Sequence, residues 1–273
     1  MDTGLTLARE GNWLVIQGAD LPGGELRVNY LEAYCRPDST DADWVEHTLI
    51  GHETELASLS AGGRRMELQC TLADGVVVQH VITAGRDEVD FRVTAHNPAD
   101  EPSEAHWAQP CVRVGPFTGY DDPGGPAPED YLHKCFVFID GRLERMPTEA
   151  WATEARYTPG QVWRPAHAPK TDVNPRPLNP VIPSHGLIGC FSADEAMVFA
   201  TAWEPYQELF QGVARCLHAD FRLGGLAPGE TKRARGKIYI VPNDIPALLN
   251  RYTRDFPEHL VHGLEAEPPG EAG

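Results

Sequence analysis

The sequence predicts a mostly β chain, built as one large antiparallel β-sandwich with a single C-terminal helix. Three observations predict it. Short alternating or β-branched runs recur at short intervals, Asp-Gly turns follow two of them, and one segment alone carries a helical period.

In chain order the runs are NWLVIQG, ELRVNYLEAY, RRMELQCTL, VVVQHVITA, EVDFRVTAH, WAQPCVRV, KCFVFI, GLIGCFS, AMVFATAW, VARCLHA and GKIYIV. Asp74-Gly75 lies between the third and fourth and Asp140-Gly141 follows KCFVFI, so both places read as antiparallel hairpins. From Asp244 to Phe256 the residues Ile245, Leu248, Leu249, Tyr252 and Phe256 share one helical face, with Asn243 or Asp244 available as the cap. That helix is expected on the outside of the sandwich. A chain of 273 residues with 41% hydrophobic and 8% aromatic residues can bury a large core, and no inter-domain linker interrupts it. Residues 1–260 are therefore expected to form one domain, and 261–273 a disordered acidic tail.

Two stretches are too long for simple hairpin loops: PFTGYDDPGGPAPEDY, and the proline-rich segment from Tyr157 to His185. The second holds Trp163, Arg164, His167, Lys170, Asn174, Arg176 and His185, a set of rings and donors that suits a cleft wall. The bland alternative is an exposed crossover stiffened by proline.

The formal net charge of -17 is spread along the chain and disfavours nucleic acid and anionic membranes as partners. No apolar run is long enough to span a bilayer, and the first residues lack the pattern of a secretion signal, so a cytoplasmic location is expected unless a leader has been removed. The six cysteines are scattered without a C-x-x-C pair, which predicts free buried thiols and not zinc. No H-x-H or H-E-x-x-H spacing, phosphate-binding glycine motif or G-x-S-x-G elbow occurs, so neither a metal nor any other cofactor is expected.

Three segments carry a family resemblance. In EVDFRVTAHNPADEPSEAHWAQP a strand ends at Asn97, and the next opens with Ala105-His106-Trp107. In TAWEPYQELFQG a Glu precedes Pro with an aromatic nearby, and CLHADFRLGGLAPGETKRARGKIYIV carries an L-x-P-G-E turn before an aromatic strand. In this order they resemble the galactose-mutarotase-like superfamily, which includes the aldose epimerases. The resemblance covers loosely the C-terminal two thirds and implies a supersandwich with a sugar groove on one sheet. It implies an acid role for His106. The carboxylate base of the epimerases is missing from its place, where the chain reads Cys216-Leu217-His218-Ala219-Asp220.

Mutarotation needs one group to remove a proton and another to supply one, so the expected catalytic residues are His106 with His218, Asp220 or Glu204. Each has a plainer reading: His106 as a strand-edge residue, His218 as a core residue, Asp220 and Glu204 as turn carboxylates. His80, sharing a strand face with Val76, Val78 and Ile82, reads as a core histidine. Trp107, Trp163, Trp203 and Tyr206 are candidate sugar platforms, with Gln109, Arg164, Arg176, His185, Gln207 and Gln211 as polar partners. The leading expectation is a carbohydrate-active enzyme moving protons on a mono-, oligo- or polysaccharide. The alternatives are a glycoside hydrolase or polysaccharide lyase, and a non-catalytic sugar-binding module.

Overall fold

A computed structural model of the chain describes residues 4–38, 44–121, 130–149, 161–174, 177–212 and 214–259. Arg176, the tail from 261 and parts of both long loops lie outside them. The first sheet contains β1 (Thr6–Glu10), β2 (Trp13–Gln17), β3 (Glu25–Cys35) and β4 (Leu49–Ile50). The second takes the next four strands, β5 (His52–Leu59), β6 (Arg65–Leu72), β7 (Val77–Ala84) and β8 (Glu88–His96). The chain then alternates: β9 (Trp107–Arg113) in the first sheet, β10 (Cys135–Ile139) and β11 (Arg142–Arg145) in the second, β12 (Gln161–Trp163) back in the first. β13 (Leu187–Phe191) and β14 (Met197–Glu204) join the second sheet, β15 (Tyr206–Gly212) and β16 (Cys216–Arg222) the first, and β17 (Thr231–Pro242) the second. The order is β1-β2-β3-β9-β16-β15-β12 in the first sheet, with β4 on β3, and β11-β10-β13-β14-β17-β8-β7-β6-β5 in the second.

Every pairing between named strands is antiparallel, as the alternating runs require. The Asp74-Gly75 turn joins β6 to β7, and Asp140-Gly141 joins β10 to β11 with both φ angles positive, the backbone of a tight hairpin turn. β5 was not foreseen, because its side chains are mostly exposed and no apolar alternation marks it.

The core lies between the sheets. It takes Leu217, Ala219 and Phe221 from one face of β16, Leu209 from β15, and Val78, Phe91, Val93 and Ile238 from the second sheet. A second cluster covers the other face of the second sheet, where Leu248, Tyr252 and Phe256 of helix α2 and its C-terminal boundary meet Phe136, Phe138, Leu187 and Tyr239. Helix α2 spans Ile245–Asp255, and the Asp244 carboxylate accepts the Ala247 amide at 3.0 Å, capping an end that otherwise leaves its first N–H groups unpaired. α1 (Gly115–Thr118) is a single turn after β9.

The outer face of the first sheet is where the fold departs from a half-wet sandwich. On β16 both faces are buried, so Cys216, His218 and Asp220, alternate to the core residues, lie beneath other chain. The cover is Trp44 to Ile50 on one side and the described residues around Val173 and Leu178 on the other: Trp44 packs on Trp107, and Val173 and Leu178 pack on Val162 and Phe210.

Candidate functional site

A cavity of about 220 Å³ lies on this outer face, lined by Glu32, Trp44, Gln109, Asn174, Phe210 and His218 together with Ala33, Cys111, Arg113, Ala214 and Cys216. Pairing explains the convergence. His218 stands opposite Cys111 on β9 and Phe210 on β15, and Asp220 stands opposite Glu208, so alternate residues of three neighbouring strands share one face.

His218 is the centre. Its ring stacks on Phe210 at 3.8 Å between centroids. Its Nδ1 faces Asp220 Oδ1 at 3.3 Å, while Nε2 faces Cys216 Sγ at 3.7 Å and Glu32 Oε2 at 3.8 Å. Gln109 Nε2 donates to the other Asp220 oxygen at 3.0 Å, and the Asn174 amide donates to Glu208 Oε2 at 2.8 Å.

The electrostatics follow from these contacts. Burial opposes a charged His218, but the Asp220 carboxylate and the Cys216 sulfur outweigh it and push its pKa up to about 10. A hydrogen bond from the Cys111 thiol, with His218 nearby, holds Cys216 well below the usual thiol range, and Cys111 rises in turn. Burial and the neighbouring Asp220 push Glu208 up. Burial also raises Asp220, against the pull of His218. The floor thus sets a sulfur, an imidazole and a carboxyl group in a row. Two buried oxygens, Asn174 Oδ1 and Glu208 Oε1, have no hydrogen-bond partner, and Asn174 lines the cavity.

Of the expected residues, His218, Asp220 and Gln109 meet here. His106 does not: Cys111 opposes His218, and His106 precedes it by five residues, about 16 Å along a strand. The expected His106–His218 pair across one sugar ring is corrected on that ground. His106 Nδ1 instead faces Asp172 Oδ2 at 3.4 Å, and Arg222 donates to Asp172 at 2.8 Å and to Gln207 at 2.6 Å. Asp172 sits in partial burial that would raise it, yet His106, Arg222 and the Asp38 amide bring it down to about 2.

Glu204 is also elsewhere, at the end of β14 beside His259 at 2.9 Å. Trp163 and Trp203 are core residues and not platforms: Trp163 pairs with Leu209 on the inward face of its sheet, and Trp203 packs on Gly236 so closely that a Cβ there would lie 2.4 Å from its ring. Tyr206 lies in the same core, and Gln211 donates to Tyr131 there at 2.7 Å. Trp107 is buried behind Trp44, with its indole N–H on the Arg36 carbonyl at 3.2 Å. Arg164 ties three carbonyls of its own loop, and His185 packs on Phe138 and Tyr252. Sequence reasoning missed Glu32, Trp44, Cys111, Arg113, Glu208 and Phe210. A signal existed for one of them, since Glu32 is a charge inside the apolar run NYLEAY.

Among the described residues no helix is long and apolar enough to cross a membrane. No protein-family model matches the sequence, and no curated protein matches it. Solved structures do resemble it. A putative aldose 1-epimerase from Escherichia coli K12 has 11% identity and a TM-score of 0.45, with 86% of this chain and 98% of that one covered. A galactose mutarotase-like protein from Lactobacillus casei has 7% identity and a TM-score of 0.45, covering 87% and 100%. An alpha-mannosidase from Enterococcus faecalis has 8% identity and a TM-score of 0.46, covering 95% of this chain but 31% of that one. The chain is thus similar to aldose 1-epimerase and galactose mutarotase-like structures, at identities from 7% to 11% that say nothing of its chemistry.

Proposed function

We propose that the chain is a carbohydrate-active enzyme that holds a sugar in the cavity over β9, β15 and β16 and moves a proton on it. The observation that carries this reading is the facing of two titratable groups inside one cavity, His218 Nε2 and Glu32 Oε2, 3.8 Å apart. A binding module needs rings and amides; it has no use for a buried, carboxylate-oriented imidazole beside a second carboxylate. The rest of the lining suits a polyhydroxylated ligand: the Trp44 indole offers a flat apolar face, Gln109 and Asn174 offer amides, and Arg113 offers a cation for an acidic sugar. Glu32, over a third exposed, takes a proton from the anomeric hydroxyl, and His218, held by Asp220 on the floor, gives its own proton to the sugar's ring oxygen.

The test is a panel of neutral hexoses and uronic acids, read by tryptophan fluorescence for binding and by NMR for exchange or epimerisation. Trp44→Ala is expected to weaken binding by about 1–3 kcal/mol, the worth of a lost aromatic face. Binding with no turnover of any sugar would leave a binding module; no binding at all would remove the carbohydrate reading.

A further inference from the structure

Cys111 Sγ, Cys216 Sγ and His218 Nε2 all lie within 4.8 Å of one another, and all three residues are buried on the cavity floor. From this arrangement we infer that the cavity floor is a transition-metal site of the zinc class, with two thiolates and one imidazole as ligands and a further position open to the cavity. The inference rests on the same cavity as the proposed function, though not on its sugar.

Four features carry it. The first is distance: with metal–sulfur bonds of about 2.3 Å and metal–nitrogen bonds of about 2.0 Å, a tetrahedral site sets sulfur and nitrogen about 3.6 Å apart. Cys216 Sγ and His218 Nε2 stand at 3.7 Å. The second is orientation. Asp220 Oδ1 at 3.3 Å from Nδ1 keeps a proton there, so the nitrogen that gives up its proton to a metal is Nε2, which faces the two sulfurs. A carboxylate behind a ligating histidine is the usual support of such sites, and Gln109 in turn anchors this carboxylate. The third is rigidity: Cys216 and His218 are two apart on one strand, Cys111 is opposite His218, and Phe210 stacks on the ring, so the donor set is preformed. The fourth is the open side. Glu32 Oε2 lies 3.8 Å from Nε2 and lines the same cavity, and the unpartnered Asn174 Oδ1 belongs to a nearly buried side chain there. Three protein ligands with an accessible fourth position are the pattern of catalytic zinc, whereas structural zinc is closed by four. Soft sulfur with imidazole selects zinc or cobalt over magnesium or calcium.

A metal there would supply Lewis acidity at the floor of the cavity in place of the His218 proton, with Glu32 free to act as the base. The linear sequence hides the site, since Cys216 and His218 follow Cys111 by 105 and 107 positions, and strand pairing brings them together.

The test uses the purified, reduced full chain with Co²⁺ and Zn²⁺ alone. Cobalt is expected to bind at one equivalent with a thiolate-to-cobalt charge-transfer band, zinc to displace it, and two cysteines to become protected from a thiol reagent. Cys216→Ser or Cys111→Ser should each cut the band about in half, and the two together abolish it. Asp220→Asn should weaken cobalt binding about 10–100-fold while keeping the band. Where Cys216→Ser fails to fold by circular dichroism, Cys111→Ser carries the same reading. A folded, reduced chain without the band, or a band that both serine variants leave intact, overturns the site. So does a Cys111–Cys216 disulfide whose reduction yields no cobalt binding. Sugar titration of the metal-free chain separates failure of this inference from failure of the sugar reading.

Discussion

Two histidines, buried to the same degree, sit in opposite chemical situations. His80 on β7 points into the core between the sheets, where the Tyr30 hydroxyl meets Nδ1 and the Tyr34 hydroxyl meets Nε2, each at 2.9 Å. No carboxylate stands by it, so burial, with His52 nearby, pushes its pKa down to about 3. His218 points the other way, out of the first sheet, among sulfurs and carboxylates that push it up to about 10. Burial alone therefore marks neither residue as functional. What separates them is the company their strand neighbours keep.

The comparison breaks most visibly at turnover. His218→Gln is expected to cut any sugar-directed activity by about two to four orders of magnitude, the usual worth of a positioned acid or base, with only a modest change in stability. His80→Gln should do the reverse: it leaves turnover per folded molecule unchanged and lowers the unfolding free energy, since two buried tyrosine hydroxyls lose their fitted partner. Steady-state kinetics beside urea unfolding of the two variants reads both. Equal losses of turnover would erase the distinction.

The tryptophans extend the contrast to apolar groups. Trp163 is wholly buried in the inter-sheet core, so Trp163→Ala should cost about 3–5 kcal/mol of stability, with sugar affinity unaltered in what remains folded. Trp44 lines the cavity, and its alanine variant should lose affinity far more than melting temperature. If Trp163→Ala instead bound weakly and melted normally, its place in the core would be wrong.

The two histidines also show how much the sequence could reveal. His80 alternates with Val76, Val78 and Ile82, and that apolar company made its core role legible. His218 alternates with Ala214 and Cys216, a face of small residues that reads equally well as groove or core, so the sequence offers it as a candidate without deciding its surroundings. Strand spacing likewise gave the hairpins and the capped helix. Pairing was not legible: nothing in the order of residues sets β9 beside β16, so Cys111 remained one more small hydrophobe and His106 was paired with a histidine about 16 Å away. The tryptophans failed for a related reason, because period-2 alternation tells which residues share a face but not whether that face is core or groove.

Acid should separate the two regions at intermediate cost. Unfolded, His80 takes a proton below about pH 6.5; folded, it stays neutral until about 3, so its contribution is complete above 6.5 and is lost as the pH falls between those values. From pH 7 to 5 the loss is about 2 kcal/mol, at 1.36 kcal/mol per pKa unit. Unfolding free energies of the wild type and of His80→Phe, measured across this window, should converge toward the acid end. Parallel curves would mean that the core histidine is already charged.

The smallest effect belongs to Asp172, where the two situations meet. It lies in the loop that brings Asn174 to the cavity, tied to His106, to Arg222 at 2.8 Å and to the Asp38 amide at 2.9 Å. Its pKa is lowered to about 2 against an ordinary 3.8, so its contribution is present above 3.8 and fades as the pH falls through 2, a more acidic window than the one in which the His80 contribution begins to be lost. Solvent reaches one side of this cluster and screens it, which leaves about 1 kcal/mol for the charge. Asp172→Asn should therefore lower stability at pH 7 by about that amount and leave it unchanged near pH 2. Because Arg222 also donates to Gln207 and so keeps one partner, the variant should retain the loop's anchorage at Glu208 through the Asn174 amide. Limited proteolysis of the 161–174 segment, equal in rate for wild type and variant, is the expected result; a large increase would make Asp172, and not the Glu208 contact, the clasp that closes the cavity.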